Sequence, residues 1–315
     1  MIVAFCVNKL TLRGTEIAVY DYATYNETIL GNKSVIITRP FNITKNEYDT
    51  DERIYKKFED RFQVFYYLNV DDFKEACIKS NCTRAVIIKE GHNNGLIAPS
   101  NIKSIILCIF TTNEPHGDVY AKIGKSYGNQ DIPIIPHICC LPDKTKDELW
   151  QTNRPRIVIG RYGGLETFNI KFVQETVLEY ASKGIVFIFM NTNVFANHKN
   201  IIYLKGTSDA IEKQKFINSC DIMLHAREEG ETYGLSCGEF ILSGKMVMTY
   251  KHSKDKEHII LGGLNCIEYY NKQSLSLLLD ALIITGPPVK NWECEYNKNT
   301  PNAIMSILNK YLYIN

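Results

Sequence analysis
Short apolar runs alternate with longer amphipathic stretches along the chain. Residues 2–7, 35–38, 63–67, 84–88 and 104–110 are apolar runs of strand length. Residues 15–30 and 70–80 have helical spacing, with Ile17, Tyr20 and Ala23 on one face of the first and Gly31 as its stop. Strands separated by helix-length segments predict a parallel sheet covered on both faces, with ligands at the carboxyl ends of its strands. The cadence restarts at 156–160 and continues through runs at 185–190, 201–204, 221–224, 246–249 and 266–270, with helices over 173–182, 210–219, 274–284 and 303–311. Residues 111–127 read as a loop passing into a helix, 132–138 as a short strand, and the charged, proline-bounded segment 141–155 as a linker. A chain of 315 residues suits two domains. The expectation is α/β: two Rossmann-like doubly wound domains, 1–150 and 151–315, facing across a cleft, with the last helix packing back on the first domain.

Four loops carry the candidate chemistry. The stretch 221–250, DIMLHAREEGETYGLSCGEFILSGKMVMTY, is an apolar strand that breaks into a polar loop with three glutamates, an arginine and a glycine over 225–232. Tyr233-Gly234-Leu235 then turns the chain into a helix carrying Phe240, Ile241 and Leu242. Backbone N–H groups at such a helix start form an anion site, so a phosphate is expected near residues 233–237. Glu231 and Glu239 flank it, and carboxylates accept hydrogen bonds from the hydroxyls of a sugar or a ribose. In GRYGGLETFNI, Gly163 and Gly164 permit close backbone approach and Arg161 brings a planar fork of donors suited to phosphate; an ordinary turn with a surface arginine is the alternative. Arg13 and Gly14 stand beside the first helix start, where a ligand or a plain surface turn fits equally. His116, on a loop with Glu114, Gly117 and Asp118, is either a cleft contact or a solvated or capping residue.

Composition removes several classes. Lys plus Arg (36) and Asp plus Glu (35) nearly cancel, and no basic run interleaves with aromatics, which argues against nucleic acid. The ten cysteines are irregularly spaced, without a CxxC pair, and Cys6, Cys108 and Cys220 sit in apolar runs: reduced, buried thiols of an intracellular protein. The apolar start at 1–7 is too short for a signal-peptide core and no run approaches the ~20 residues of a membrane helix, so a soluble cytoplasmic protein is expected. Four sequons, at Asn26, Asn32, Asn42 and Asn81, should then stay unmodified. Asp49-Thr50-Asp51 spells a metal-binding D-x-D, but its place before a helical stretch reads as a helix N-terminus, where carboxylates offset the dipole. Cys77, Cys82 and the Cys139-Cys140 pair have no metal-ligand spacing, and no metal is expected.

The segment GETYGLSCGE resembles the signature of GT-B-fold retaining glycosyltransferases of the family-4 type, the group 1 transferases, in which two glutamates bracket an aromatic-Gly-Leu turn. Arg161 after the first strand of the second domain, and LKGTSDA before the helix at 210, are similar to that family's carboxyl-terminal domain. The resemblance implies metal-independent transfer of a sugar, with retention, from a nucleoside-diphosphate sugar as co-substrate to a glycan or other hydroxyl acceptor held by the first domain. It implies that Glu231 contacts the donor sugar, the amides of Tyr233, Gly234 and Leu235 the diphosphate, Glu239 the ribose, and Arg161 the phosphates; His116 and Gly14 would face the donor from the first domain. One departure stands out: the lysine usual five or six residues after the arginine is replaced by Glu166 and Thr167. Arg227 is expected to supply that charge, with Lys205 as second choice. The alternative is that Arg227 pairs with Glu228 or Glu229 and that the protein is a weak or inactive nucleotide-sugar-binding relative.

Overall fold
The computed structural model describes residues 1–47, 49–288 and 292–313. It separates into two compact units, Met1–Ile138 with Asn299–Asn315, and Cys139–Lys298.

The first unit is built from β1 (Ile2–Cys6), α1 (Gly14–Thr28), β2 (Lys33–Thr38), α2 (Phe41–Thr44), α3 (Glu52–Glu59), β3 (Gln63–Tyr66), α4 (Val70–Lys79), β4 (Arg84–Lys89), β5 (Lys103–Cys108) and β6 (Val119–Lys122). Its strands form one parallel sheet in the order β3-β2-β1-β4-β5-β6. The central strands are apolar on both faces because helices cover both, and Ala4, Val35, Ile37, Ala85, Ile87 and Ile106 are all buried. Asn69 starts α4 by accepting from the N–H groups of Asp71 and Asp72 at 3.0 Å, and Asp51 starts α3 by accepting from Arg53 N–H at 2.9 Å. Asp49 pairs with Arg13 at 2.6 Å, so the D-x-D triplet is a helix start plus an ion pair, as its context predicts.

Two expectations for this unit are corrected. Residues 111–127 contain the edge strand β6 instead of a helix; its Lys122 is fully buried and donates to the carbonyl of Tyr127 at 2.8 Å, a polar residue where the apolar pattern of a strand is sought. Residues 132–138 form only a single bridge, Ile134 to Lys122, because Pro133 and Pro136 have no N–H for a ladder.

The second unit runs β7 (Val158–Tyr162), α5 (Lys171–Ser182), β8 (Val186–Met190), β9 (Ile201–Leu204), α6 (Ala210–Asn218), β10 (Ile222–His225), β11 (Gly230–Glu231), α7 (Leu235–Leu242), β12 (Met246–Tyr250), β13 (Asp255–Lys256), α8 (Glu257–Gly262), β14 (Cys266–Tyr269), α9 (Lys272–Thr285) and α10 (Glu295–Lys298). Its main sheet is parallel in the order β14-β12-β10-β7-β8-β9, while β11 and β13 pair with each other. Ile159, Phe187, Leu224 and Met248 form part of its core with Val173 and Val177 of α5 and Leu275 and Leu279 of α9. Asp209 caps α6, accepting from Ile211 N–H at 2.7 Å. In both sheets the strand order reverses beside the first strand, between β1 and β4 and between β7 and β10, where α/β sheets open a crevice for ligands.

The last helix, α11 (Pro301–Leu312), belongs to the first unit, where it packs against α1 and buries Ile304, Met305, Leu308 and Leu312. Arg84 Nε donates to the Leu312 carbonyl at 2.6 Å. All ten cysteines are free thiols, and no helix among the described residues is long and apolar enough to cross a membrane.

Candidate functional site
The candidate site of the second unit stands at the carboxyl ends of β7 and β10. Beyond β10 the chain makes the short strand β11, which places Glu231 opposite Lys256 of β13. Gly234 then caps α7 with φ of 80°, a left-handed conformation. A Cβ there would lie 2.7 Å from Cβ of His258, so the turn closes only around glycine. The hydroxyl of Tyr296 lies 2.7 and 2.9 Å from the carbonyls of Tyr233 and Gly234, fastening the turn by its carbonyl side. No side chain caps α7, whose amide end, the partly positive end of the helix dipole, begins at Leu235.

Both carboxylates have buried partners. Glu231 receives Arg227 Nη1 at 3.1 Å and lies 3.3 Å from His225 Nε2. Burial would raise its pKa, but the charge of Arg227 and the hydrogen bond of His225 outweigh it and bring it down to about 2. His225 Nδ1 lies 3.0 Å from Thr249 Oγ1, which lies 2.7 Å from His258 Nε2. Burial, with His225 alongside, holds His258 well below the ordinary histidine range. Glu231 is thus backed by a polar chain drawn from β10, β12 and α8. Glu239, in α7, is buried and accepts from Lys213 Nζ of α6 at 3.0 Å; Lys213 also lies 5.2 Å from the centre of the Tyr162 ring. Sequence reasoning missed His225, Thr249, His258, Lys213 and Tyr296, whose partners are remote in the chain; the polar residues amid the apolar run of β12 and within α6 were the available signal.

The cations are placed differently from expectation. Arg161 is buried, with Nη1 donating to the Asn191 carbonyl at 3.2 Å and to Thr192 Oγ1, and Nη2 donating to the Gly164 carbonyl at 3.0 Å and to Thr167 Oγ1. Its fork ties the glycine loop to the end of β8. Gly163 clears the same side chain, since a Cβ would lie 2.7 Å from Arg161 Nη2. Thr167, at a position where a lysine was sought, belongs to this clasp. Arg227, expected to supply phosphate charge or to pair with Glu228 or Glu229, pairs with Glu231 at 3.1 Å and with Glu229 at 3.8 Å. Lys205 is exposed just past β9.

In the first unit, Gly14 is the first residue of α1 and His116 lies on the loop between β5 and β6. His116 Nδ1 donates to the Glu114 carbonyl at 2.5 Å, and its Nε2 is shielded from solvent without a hydrogen bond. Burial lowers its pKa. Among the described residues no group of three or more His, Cys, Asp or Glu is arranged to hold a metal ion.

The chain matches no protein-family model and none of the curated proteins in sequence. In three dimensions it is similar to Anabaena HepE in complex with UDP-glucose, with a TM-score of 0.71 at 11% identity over 99% of both chains. It is similar to sucrose-phosphate synthase from Thermosynechococcus elongatus, with a TM-score of 0.64 at 8% identity over 99% of this chain and 98% of that one. A putative UDP-N-acetylglucosamine 2-epimerase from Listeria monocytogenes aligns with a TM-score of 0.57 at 10% identity, over 99% of this chain and 96% of that one. At such identities the likeness is one of fold: two Rossmann-like α/β units of the GT-B type.

Proposed function
We propose that this chain is a glycosyltransferase that moves a sugar, with retention and without a metal, from a nucleoside-diphosphate sugar to a glycan or other hydroxyl acceptor. The observation that carries the reading is the uncapped start of α7 behind the glycine turn, with Glu231 before it and Glu239 within it. The diphosphate lies against the amides of Tyr233, Gly234 and Leu235, where the helix dipole and the nearby charge of Arg161 stabilise the departing negative charge. Glu231 orients the sugar through its hydroxyls, and Glu239, released in part from Lys213, accepts from the ribose. Metal independence is supported by the positions of Asp49 and Asp51, which are engaged by Arg13 and Arg53. HepE, described in complex with UDP-glucose, makes that compound the first donor to try. The cytoplasm suits ten unbridged thiols.

The test is a thermal-shift titration with UDP-glucose and other nucleotide sugars, followed by a transfer assay and by NMR of the product's anomeric configuration. A raised melting temperature that Glu239→Ala diminishes, and turnover that Glu231→Gln reduces, are expected; no shift with any nucleotide sugar overturns the reading. A second reading, a nucleotide-sugar-binding protein without transfer, is favoured by one observation: Arg227 is closed on Glu231. Binding without turnover over a broad acceptor panel would select it.

A further inference from the structure
Tyr296 is fully buried in the second unit, and packing accounts for its ring but not for its hydroxyl. It stands on α10, a single turn, and its ring fills a slot that glycines of α7 and α8 keep open. A Cβ on Gly238 would lie 2.7 Å from its Cδ1 and 2.8 Å from its Cε1, and one on Gly262 would lie 3.9 Å from its Cε2. The ring also meets that of Tyr233 edge to face, with centroids 5.8 Å apart. A phenylalanine ring would fill the same slot. The hydroxyl is a different matter, because taking it out of water is unfavourable unless it finds partners. Its partners are the carbonyls of Tyr233 and Gly234, at 2.7 and 2.9 Å, so one proton is shared by two consecutive peptide units.

The opposite edge of those peptides is set by the same grip. The bonds are trans, so each carbonyl points away from the N–H of its own peptide unit. With the carbonyls of Tyr233 and Gly234 drawn to one oxygen, the N–H groups of Gly234 and Leu235 are both turned to the side away from Tyr296. Gly234 is left-handed, with φ of 80° and ψ of 58°, and Leu235 opens the right-handed α7. In that alternation successive N–H groups converge on a concavity that takes an anion. Glycine enters left-handed and right-handed backbone about equally, so residue type alone does not hold Gly234 in this conformation. The buried phenol supplies the direction that glycine leaves open.

We propose that Tyr296 is a positioning residue for a diphosphate: from the far side of the glycine turn its hydroxyl aims the amides of Gly234 and Leu235 as a pair, without touching the ligand. That a nucleoside diphosphate is what these amides meet rests on the transferase reading above.

The full chain, wild type and Tyr296→Phe, is titrated with UDP, ADP and GDP, with the matching nucleosides, and with inorganic pyrophosphate, weak binding being followed by saturation-transfer NMR. The variant keeps the ring in its slot, and urea denaturation checks that it is folded. The preferred nucleoside diphosphate and pyrophosphate are each expected to bind it about tenfold more weakly, while the affinity for the nucleoside stays within about twofold. A role confined to packing or stability would not separate phosphate from nucleoside in this way. Diphosphate affinity that is unchanged in the variant, or that falls together with nucleoside affinity, overturns the proposal. Pyrophosphate binding that the variant weakens, in a chain that ignores every nucleoside diphosphate, upholds the role of Tyr296 and removes the transferase reading. A wild type that binds none of the probes removes both.

Discussion
Two carboxylates, Glu16 and Glu231, occupy related places, each near the carboxyl ends of a Rossmann-type sheet, and are driven in opposite directions. Glu16 lines an apolar cavity with one hydrogen bond from Thr11, and burial raises its pKa to about 7. Glu231 is flanked by Arg227 and His225, which overcome burial and lower it to about 2. Fold and residue type are shared, so the difference lies in the neighbours: Glu231 touches a guanidinium and an imidazole, whereas Glu16 meets the hydroxyl of Thr11, and the charges of Arg13 and Lys9 act on it too weakly to offset burial.

The most severe way to break this contrast is to remove a cation from the second unit. Lys213→Met strands Glu239 as a buried charge, and should cost about 3–5 kcal/mol in urea denaturation. Lys213→Met with Glu239→Leu should restore most of that stability yet leave nucleotide affinity low.

The two acids themselves give pH profiles of opposite sign. Because the folded pKa of Glu231 is depressed, its contribution is complete above the unfolded value of 4.5 and is lost as pH falls towards 2. Glu231→Gln should therefore be less stable than wild type by about 3 kcal/mol above pH 4.5, with the gap closing as pH approaches 2. For Glu16 the folded pKa is raised, so stability is complete below 4.5 and is lost as pH rises through 7. Glu16→Gln should gain on wild type by about 3 kcal/mol between those limits. Parallel profiles from denaturation at several pH values would erase the distinction between the sites.

A smaller effect is expected from Gly234→Ala, where the left-handed backbone and the approach of His258 should cost about 2 kcal/mol, measured by the same denaturation, and weaken nucleotide binding. Smallest of all, Phe110→Ala should change unfolding free energy by less than about 0.5 kcal/mol, since the ring is half exposed.

What could be read from the chain was what is local. The apolar runs marked most strands, and the turn Tyr233-Gly234-Leu235 with its two glutamates lies where the pattern put it, because strand, glycine and helix start are all written within a few residues. Strand β6 was hidden by Lys122, whose buried ammonium is met by a carbonyl that no periodicity announces. The inward fork of Arg161 depends on Asn191 and Thr192, about thirty residues on, and the backing of Glu231 on Thr249 and His258. Glu16 sits in the first turn of α1, where an acid is ordinary; only the folded sheet surrounds it with a cavity.

The return of α11 to the first unit has a consequence for synthesis. Residues 139–298, which make up the second unit, leave the ribosome before α11 does, although the first unit began earlier. The portion made first is therefore completed last, and until Pro301–Leu312 emerges the face of α1 that it covers is bare. A nascent chain paused before that helix would carry a finished second unit and an open, adhesive first one, the state in which chaperone binding is most needed.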